Sequence, residues 1–213
     1  MVDEQLRARG IHDRRVLAAM GRIPRERFVP RESAEQAYAD RALPIDCDQT
    51  ISQPYIVGLM SQALELTGGE HVLEIGAGSG YQTAILAELA ASVLSIERHA
   101  ALARQAQDVL KQLGYRNVTL VVGDGTRGWP EWAPYQRIIV AAATAAVPPA
   151  LAEQLAEGGL VVIPLGDPKS QTLYQVRKRD GKLHYTPLSA CRFVPLVAEA
   201  ESRDREQDSG GTE

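Results

Sequence analysis

Cysteine is nearly absent from this chain: Cys47 and Cys191 are the only two in 213 residues. They cannot build a disulfide scaffold and lack the paired spacing of a zinc site, so a reducing compartment is expected. The four histidines, His12, His71, His99 and His184, are scattered without ligand spacing. They read as surface or packing residues, and no metal site is expected. Long hydrophobic runs are missing as well, with no stretch of eighteen or more apolar residues, which excludes a membrane-spanning helix. Met1 to Gly10 includes Asp3 and Glu4 and has no apolar block of the kind a secretory leader carries. A soluble, cytoplasmic chain is therefore expected. There is no excess of positive charge either. The formal net charge is −4, and the acids of Ala198 to Glu213 outweigh Arg203 and Arg205 enough to account for all of it. A formally neutral body exerts no net pull on nucleic acid. Neither a nucleic acid nor a membrane is expected as partner, and the chain is taken as a monomer.

What is present is enough apolar material, 45% of residues, for one globular core. From Pro54 the residues Ile56, Leu59, Met60, Ala63 and Leu64 fall on one helical face, and the helix is expected to end near Thr67-Gly68-Gly69. Short apolar runs follow at 71–75, 92–96, 118–122, 137–140 and 160–163, each read as a strand buried on both faces. Helical segments lie between them, at 79–89, 99–113 and 148–155, the last stopped by Gly158-Gly159. Such alternation predicts a mostly parallel, doubly wound sheet. Strands at 173–176 and 183–185 flank Asp180-Gly181, a turn signal for an antiparallel hairpin at the sheet edge. Residues 1–32 form a helical lead with Val16, Leu17 and Met20 on one face, and the acidic tail is expected to be disordered.

The chemistry concentrates where the first strand meets its helix, at Glu74-Ile75-Gly76-Ala77-Gly78-Ser79-Gly80. Glycines there let a ligand approach the backbone, and the helix start presents free N–H groups. A dinucleotide fingerprint needs G-x-G-x-x-G, whereas this loop is G-x-G-x-G. Glu97 ends the next strand, where a carboxylate can accept both ribose hydroxyls of a nucleoside. Asp124, within Gly123-Asp124-Gly125, ends the third and can accept the adenine amine. Singly, each has a plain structural reading: a tight turn, a cap for the helix near His99, a turn residue. Together, at successive strand ends, they describe an adenosine cradle with no pyrophosphate to hold, which matches S-adenosylmethionine as cofactor.

A second constellation runs from Pro44 to Pro54 and contains Gln49-Thr50-Ile51-Ser52-Gln53. Ser52 or Gln53 is expected to cap the helix that Pro54 opens, and the Ser52 hydroxyl can also orient a substrate carboxylate. Cys47, beside this segment, reads as a small, partly buried thiol or a reactive one. Tyr55 reads as an apolar wall of the site or as part of a plain helix face.

Here the sequence resembles the protein-L-isoaspartate O-methyltransferase family. The resemblance runs in order over about residues 4 to 197: Arg27-Phe28-Val29-Pro30, Tyr38, Ala42 to Ile45, Gln49 to Pro54, Val72 to Gly76, Ser95 to Arg98, Gly123 to Gly125, Gly128 to Pro130, Ala133 to Tyr135 and Arg192 to Leu196. It implies a Rossmann-like methyltransferase fold, with an antiparallel C-terminal hairpin and a helical N-terminal lead. Residues 1–197 would form one domain, with 1–53 as lead and substrate-side loop and 54–197 as core, followed by the tail at 198–213. The resemblance further implies Ser52 as the catalytic position. Cofactor contacts fall to Gln49, Thr50, Ile51, Ser52, Glu74, Gly76, Gly78, Ser79, Gly80, Glu97, Arg98, Asp124 and Gly125. Substrate contacts fall to Ile51, Ser52, Gln53, Phe193, Val194 and Pro195. The substrates would be isoaspartyl proteins and peptides. A methyltransferase of another carboxylate or small molecule, or a non-catalytic paralogue that binds the cofactor, remains the alternative. Departures from the family pattern occur at Asp46, Asp48, Gln136 and Ala141 to Ala146, the first two adding negative charge ahead of Ser52.

Overall fold

A computed structural model describes residues 1–198; the acidic stretch from Glu199 onward, expected to be disordered, lies outside the described residues. The N-terminal lead is less regular than expected. Its one α-helix, α1 (Arg14–Arg22), is capped by the Asp13 carboxylate, which accepts from the Arg15 and Val16 N–H groups, while short 3₁₀ and π turns cover the rest. A small hairpin follows, β1 (Leu43–Pro44) against β2 (Thr50–Ile51), then α2 (Pro54–Ala63). The sheet and its helices come next as β3 (His71–Ile75), α3 (Tyr81–Leu89), β4 (Ser92–Glu97), α4 (Ala100–Gln112), β5 (Val118–Val122), β6 (Tyr135–Val140), α5 (Pro149–Gln154), β7 (Leu155–Asp167), β8 (Ser170–Arg179) and β9 (Lys182–Cys191).

Seven strands form one sheet in the order β5-β4-β3-β6-β7-β8-β9, parallel through β7 and antiparallel from β7 to β9. Strand alternation sorts the apolar residues into two cores. Val72, Val93, Ile139 and Val162 join α1, α2 and α3 on one face, while Leu73, Leu94, Ile138 and Val161 join α5 on the other. Each such fully buried aliphatic side chain contributes about 1.5–3 kcal/mol relative to exposure, which is why these strands read as continuous apolar runs. The expectation of burial on both faces fails at β5, where Val122 is 55% exposed, because β5 is an edge strand.

Tertiary pairing moved several boundaries. The second helix stops at Ala63 rather than near Thr67: Glu65 turns to a positive φ of 51° and its carboxylate meets Arg177 at 2.7 Å on β8. Gly158-Gly159 does not end a helix. β7 starts at Leu155, pairs with Tyr135, and bulges through 156–159 before regaining register at Leu160 opposite Arg137. The C-terminal hairpin is longer than the sequence pattern implied and turns at Asp180 and Gly181, both at positive φ.

Candidate active site

The carboxyl ends of β3 and β4 and the loop after β5 open onto a cleft of about 330 Å³, within the range of small-molecule sites. Its floor is the turn after β3. Gly76, Gly78 and Gly80 all have positive φ, at 89°, 53° and 86°, and a β-carbon on Gly80 would lie 3.0 Å from that of Ala106 on α4. The loop therefore passes too close to α4, in too left-handed a path, for other residues. Helix α3 starts at Tyr81 rather than Ser79, with Gly80 as its N-cap.

Glu97 stands at the end of β4, 4% exposed, and its carboxylate is held from both sides. One oxygen accepts from the Gly78 N–H at 2.9 Å and the other from the His99 N–H at 2.9 Å. A buried carboxylate fixed by two amides keeps its remaining lone pairs for a ligand that brings hydroxyls. Glu74, by contrast, lies behind the loop, fully buried. One of its oxygens accepts from Thr83 Oγ1 at 2.5 Å and Ser95 Oγ at 2.6 Å, while the other has no partner among the described residues. Burial, reinforced by the Glu97 charge, pushes its carboxyl up to about 7.

A second wall comes from the β1–β2 hairpin and the start of α2. Cys47 and Asp48 form its turn with φ of 58° and 54°, and the Ile45 N–H donates to the Gln49 carbonyl at 2.9 Å. Cys47 is exposed there, rather than partly buried. Gln53 occupies the N-cap of α2 but makes no side-chain capping bond; its amide donates to Asp40 instead, at 2.9 Å. The third wall is the segment after β9. It is tied down by Ala143 N–H to the Val194 carbonyl at 2.8 Å, by Leu196 N–H to the Ala143 carbonyl at 2.7 Å, and by Gln171, which accepts from the Phe193 N–H at 2.7 Å.

Of the residues singled out in the sequence, the cleft brings together Gln49, Thr50, Ile51, Ser52 and Gln53, then Gly76, Gly78, Ser79, Glu97, Arg98 and Gly125, then Phe193, Val194 and Pro195. Glu74, Gly80 and Asp124 are not among its lining residues. Asp124 serves its own turn, accepting from the Thr126 N–H at 2.9 Å and hydroxyl at 2.7 Å, while Gly123 and Gly125 on either side reach the cleft. Tyr55 does not line the cleft either and stacks beneath the Arg9 guanidinium, 3.5 Å from its ring centre. No group of three or more His, Cys, Asp or Glu is placed to hold a metal ion among the described residues.

Residues 1–201 match the family profile described as protein-L-isoaspartate(D-aspartate) O-methyltransferase. The chain belongs to this family. It is 54% identical over 197 residues to a protein-L-isoaspartate O-methyltransferase of Koribacter versatilis, covering 92% of this chain and 89% of that one. It is also 54% identical to protein-L-isoaspartate O-methyltransferase 1 of Syntrophobacter fumaroxidans, with 92% of each chain covered. Among solved structures, a protein-L-isoaspartate O-methyltransferase superposes with a TM-score of 0.81 at 30% identity, over 97% of this chain and 70% of that one.

Sequence reasoning missed part of this isoaspartate O-methyltransferase family cleft. His99, read as a surface or packing residue, is one of its lining residues, as are Tyr81 and Cys191. Cys191 sits half-buried and its thiol is pushed up to about 11 by that burial. The departures from the family pattern fall differently. Gln136 accepts from the His71 N–H at the opposite end of the sheet, and Asp46 accepts from Gln105 on α4 at 2.7 Å, outside the cleft lining. Ala141 and Ala142 do line the cleft.

Proposed function

We propose that the protein transfers a methyl group from S-adenosylmethionine to the free α-carboxylate of L-isoaspartyl residues in damaged proteins and peptides, the step that begins their repair. The observation that carries this reading is the convergence of three segments on one cleft: the glycine loop with Glu97, Thr50 to Gln53, and Phe193 to Pro195. The residues fit the cofactor. Glu97 offers a fixed carboxylate to ribose hydroxyls, and Gly78, at a φ of 53° and with no side chain of its own, lets a ligand approach the backbone where a β-carbon would meet Ile45 Cδ1 at 3.7 Å. When bound, the cofactor supplies an electrophilic methyl on a sulfonium.

The chain's own task is to deliver the nucleophile. A carboxylate with an ordinary pKa near 4 is already ionised at pH 7, so no general base is required. Ser52 is a donor at the cleft wall. Behind it α2 begins with Pro54, which lacks an N–H, followed by the first-turn amides of Tyr55 and Ile56, uncapped by any side chain from Gln53. A helix start of this kind favours an anion. Phe193, Val194 and Pro195 close the opposite side with apolar surface, which strips water from the carboxylate and holds it in line with the methyl. In isoaspartate the backbone runs through the side-chain carbonyl, so the free carboxylate is attached directly to Cα rather than one methylene out. A site that grips the backbone on both sides can present only that carboxylate. No helix among the described residues is long and apolar enough to cross a membrane. We take the enzyme to act as a cytoplasmic monomer.

The deciding experiment compares two peptides that differ only in L-isoaspartate against normal aspartate. Methyl transfer is expected to the first and at least about a hundred-fold more slowly to the second, since a displacement of about 1 Å costs on the order of that factor. Equal transfer to both, or to neither, overturns the assignment.

A further inference from the structure

Beneath Ser52 lies a cation that the preceding mechanism does not use. Arg25 is 0% exposed, in the 3₁₀ turn that follows α1, and none of the ion pairs among the described residues includes it. Its Nε donates to the Ala37 carbonyl at 2.7 Å and its Nη2 to the Ser52 carbonyl at 2.6 Å. The guanidinium lies over the ring of Tyr81, 4.6 Å from its centre, and Phe28 packs edge-on against the same ring at 5.5 Å. Two polar atoms in this cluster have no hydrogen-bond partner among the described residues: Arg25 Nη1 and the Tyr81 hydroxyl. Tyr81 is 1% exposed yet lines the cleft, as does Ser52.

A guanidinium buried without a carboxylate is expensive, and burial lowers its proton affinity here. For stability alone an apolar residue of similar volume would serve as well or better. What no apolar residue can do is fix the Ser52 backbone by donating to its carbonyl and place positive potential under the wall that an anionic substrate must meet. Arg25 has no carboxylate partner among the described residues, so its charge is left to act through the Ser52 backbone, and the chemistry brings one anion to Ser52, the substrate carboxylate. Direct pairing with arginine would hold back that carboxylate, because its charge fades as the methyl arrives. A cation one layer below Ser52 orients it without that penalty.

We propose that Arg25, seated on Tyr81, is a positioning residue for methyl transfer that fixes Ser52 and directs the carboxylate-binding wall of the cleft. This rests on the isoaspartyl reading above. The test takes the full chain as wild type, Arg25→Lys, Ser52→Ala and the double variant. Arg25→Lys is expected to keep S-adenosylhomocysteine affinity within about three-fold by calorimetry while losing about ten- to a hundred-fold in kcat/KM on the isoaspartyl peptide. In the Ser52→Ala background the same replacement is expected to cost less than about three-fold, because the effect travels through Ser52. Deuterium exchange over residues 49–53 should be at least about five-fold faster in Arg25→Lys with α3 unchanged. That last readout is independent of turnover, so an inactive wild type, which would sink the isoaspartyl reading, still leaves it decisive. Parent-like kcat/KM in a folded Arg25→Lys, losses fully additive with Ser52→Ala, or, should the wild type be inactive, unchanged exchange over 49–53, each overturns the proposal. Should Arg25→Lys not fold, Arg25→Gln decides, since it leaves an amide donor at the same place and removes the charge and the guanidinium fork. A loss of about three-fold or more in kcat/KM at unchanged cofactor affinity supports the role, and parent-like kcat/KM overturns it.

Discussion

Replacing Glu74 by Gln should make this protein less sensitive to pH, and the size of the change follows from the burial of one carboxyl. Glu74 is wholly enclosed, its unpartnered oxygen faces no donor among the described residues, and its carboxyl is pushed up from an ordinary 4.5 to about 7. The folded state therefore holds the proton more tightly than the unfolded chain between those two values. Wild-type stability contributed by this group is full below about pH 4.5 and is lost as pH rises through about 7. A shift of this size corresponds to roughly 3 kcal/mol, of which about 2 to 3 kcal/mol falls between pH 5 and pH 8. Glutamine imitates the neutral acid: its carbonyl can still accept from Thr83 and Ser95. Urea unfolding of both proteins without cofactor at pH 5, 6, 7 and 8 measures the difference. Glu74→Gln is expected to gain about 2 to 3 kcal/mol on the wild type across that range, or on the order of 5–10 °C in melting temperature. Parallel pH curves would show that Glu74 stays ionised throughout and would refute the reasoning.

Glu97→Ala removes the acceptor held between the Gly78 and His99 amides. It is expected to weaken S-adenosylmethionine binding by about 1.5–3 kcal/mol, or ten- to a hundred-fold, read by calorimetry on the folded variant. Gly125→Ala puts a β-carbon 2.3 Å from Ile75 Cγ2; a destabilisation of about 1–3 kcal/mol by urea unfolding, together with weaker cofactor binding, is expected. Asp46→Asn removes a charge near the site without touching the cleft lining, because Asp46 faces Gln105. Its kcat/KM on the isoaspartyl peptide should stay within about two-fold of the parent, as for exposed polar pairs generally. Ser52→Ala is expected to lower turnover more than cofactor affinity, which single-turnover kinetics beside calorimetry will separate.

The sheet was legible because its strands are short apolar runs separated by helical periodicity, and because buried β3, β4, β6 and β7 have no solvent face to interrupt the run. The same signal misled at β5, whose apolar composition hides its place at the edge. The glycine loop and Glu97 were legible because close backbone approach and a strand-end carboxylate leave a trace in residue type. The β1–β2 hairpin was not: its turn uses Cys47 and Asp48 at positive φ, where the usual glycine signal is missing. Arg25 was invisible for a related reason. Arginine in a charged stretch, Arg25-Glu26-Arg27, reads as surface, and only the packing of Tyr81 and Phe28 around it shows otherwise. Asp124 was read for its position; its side chain accepts from the Thr126 amide, and its neighbours Gly123 and Gly125 are the residues that line the cleft.

The fastening of Phe193 to Leu196 onto Ala143 and Gln171 has a temporal consequence. During synthesis the ribosome delivers the glycine loop, Glu97 and all parallel strands well before this segment, so a nascent chain folded through β7 holds two walls of the cleft and lacks the third. The cleft is then complete only when the stretch past Cys191 docks beside Ala143.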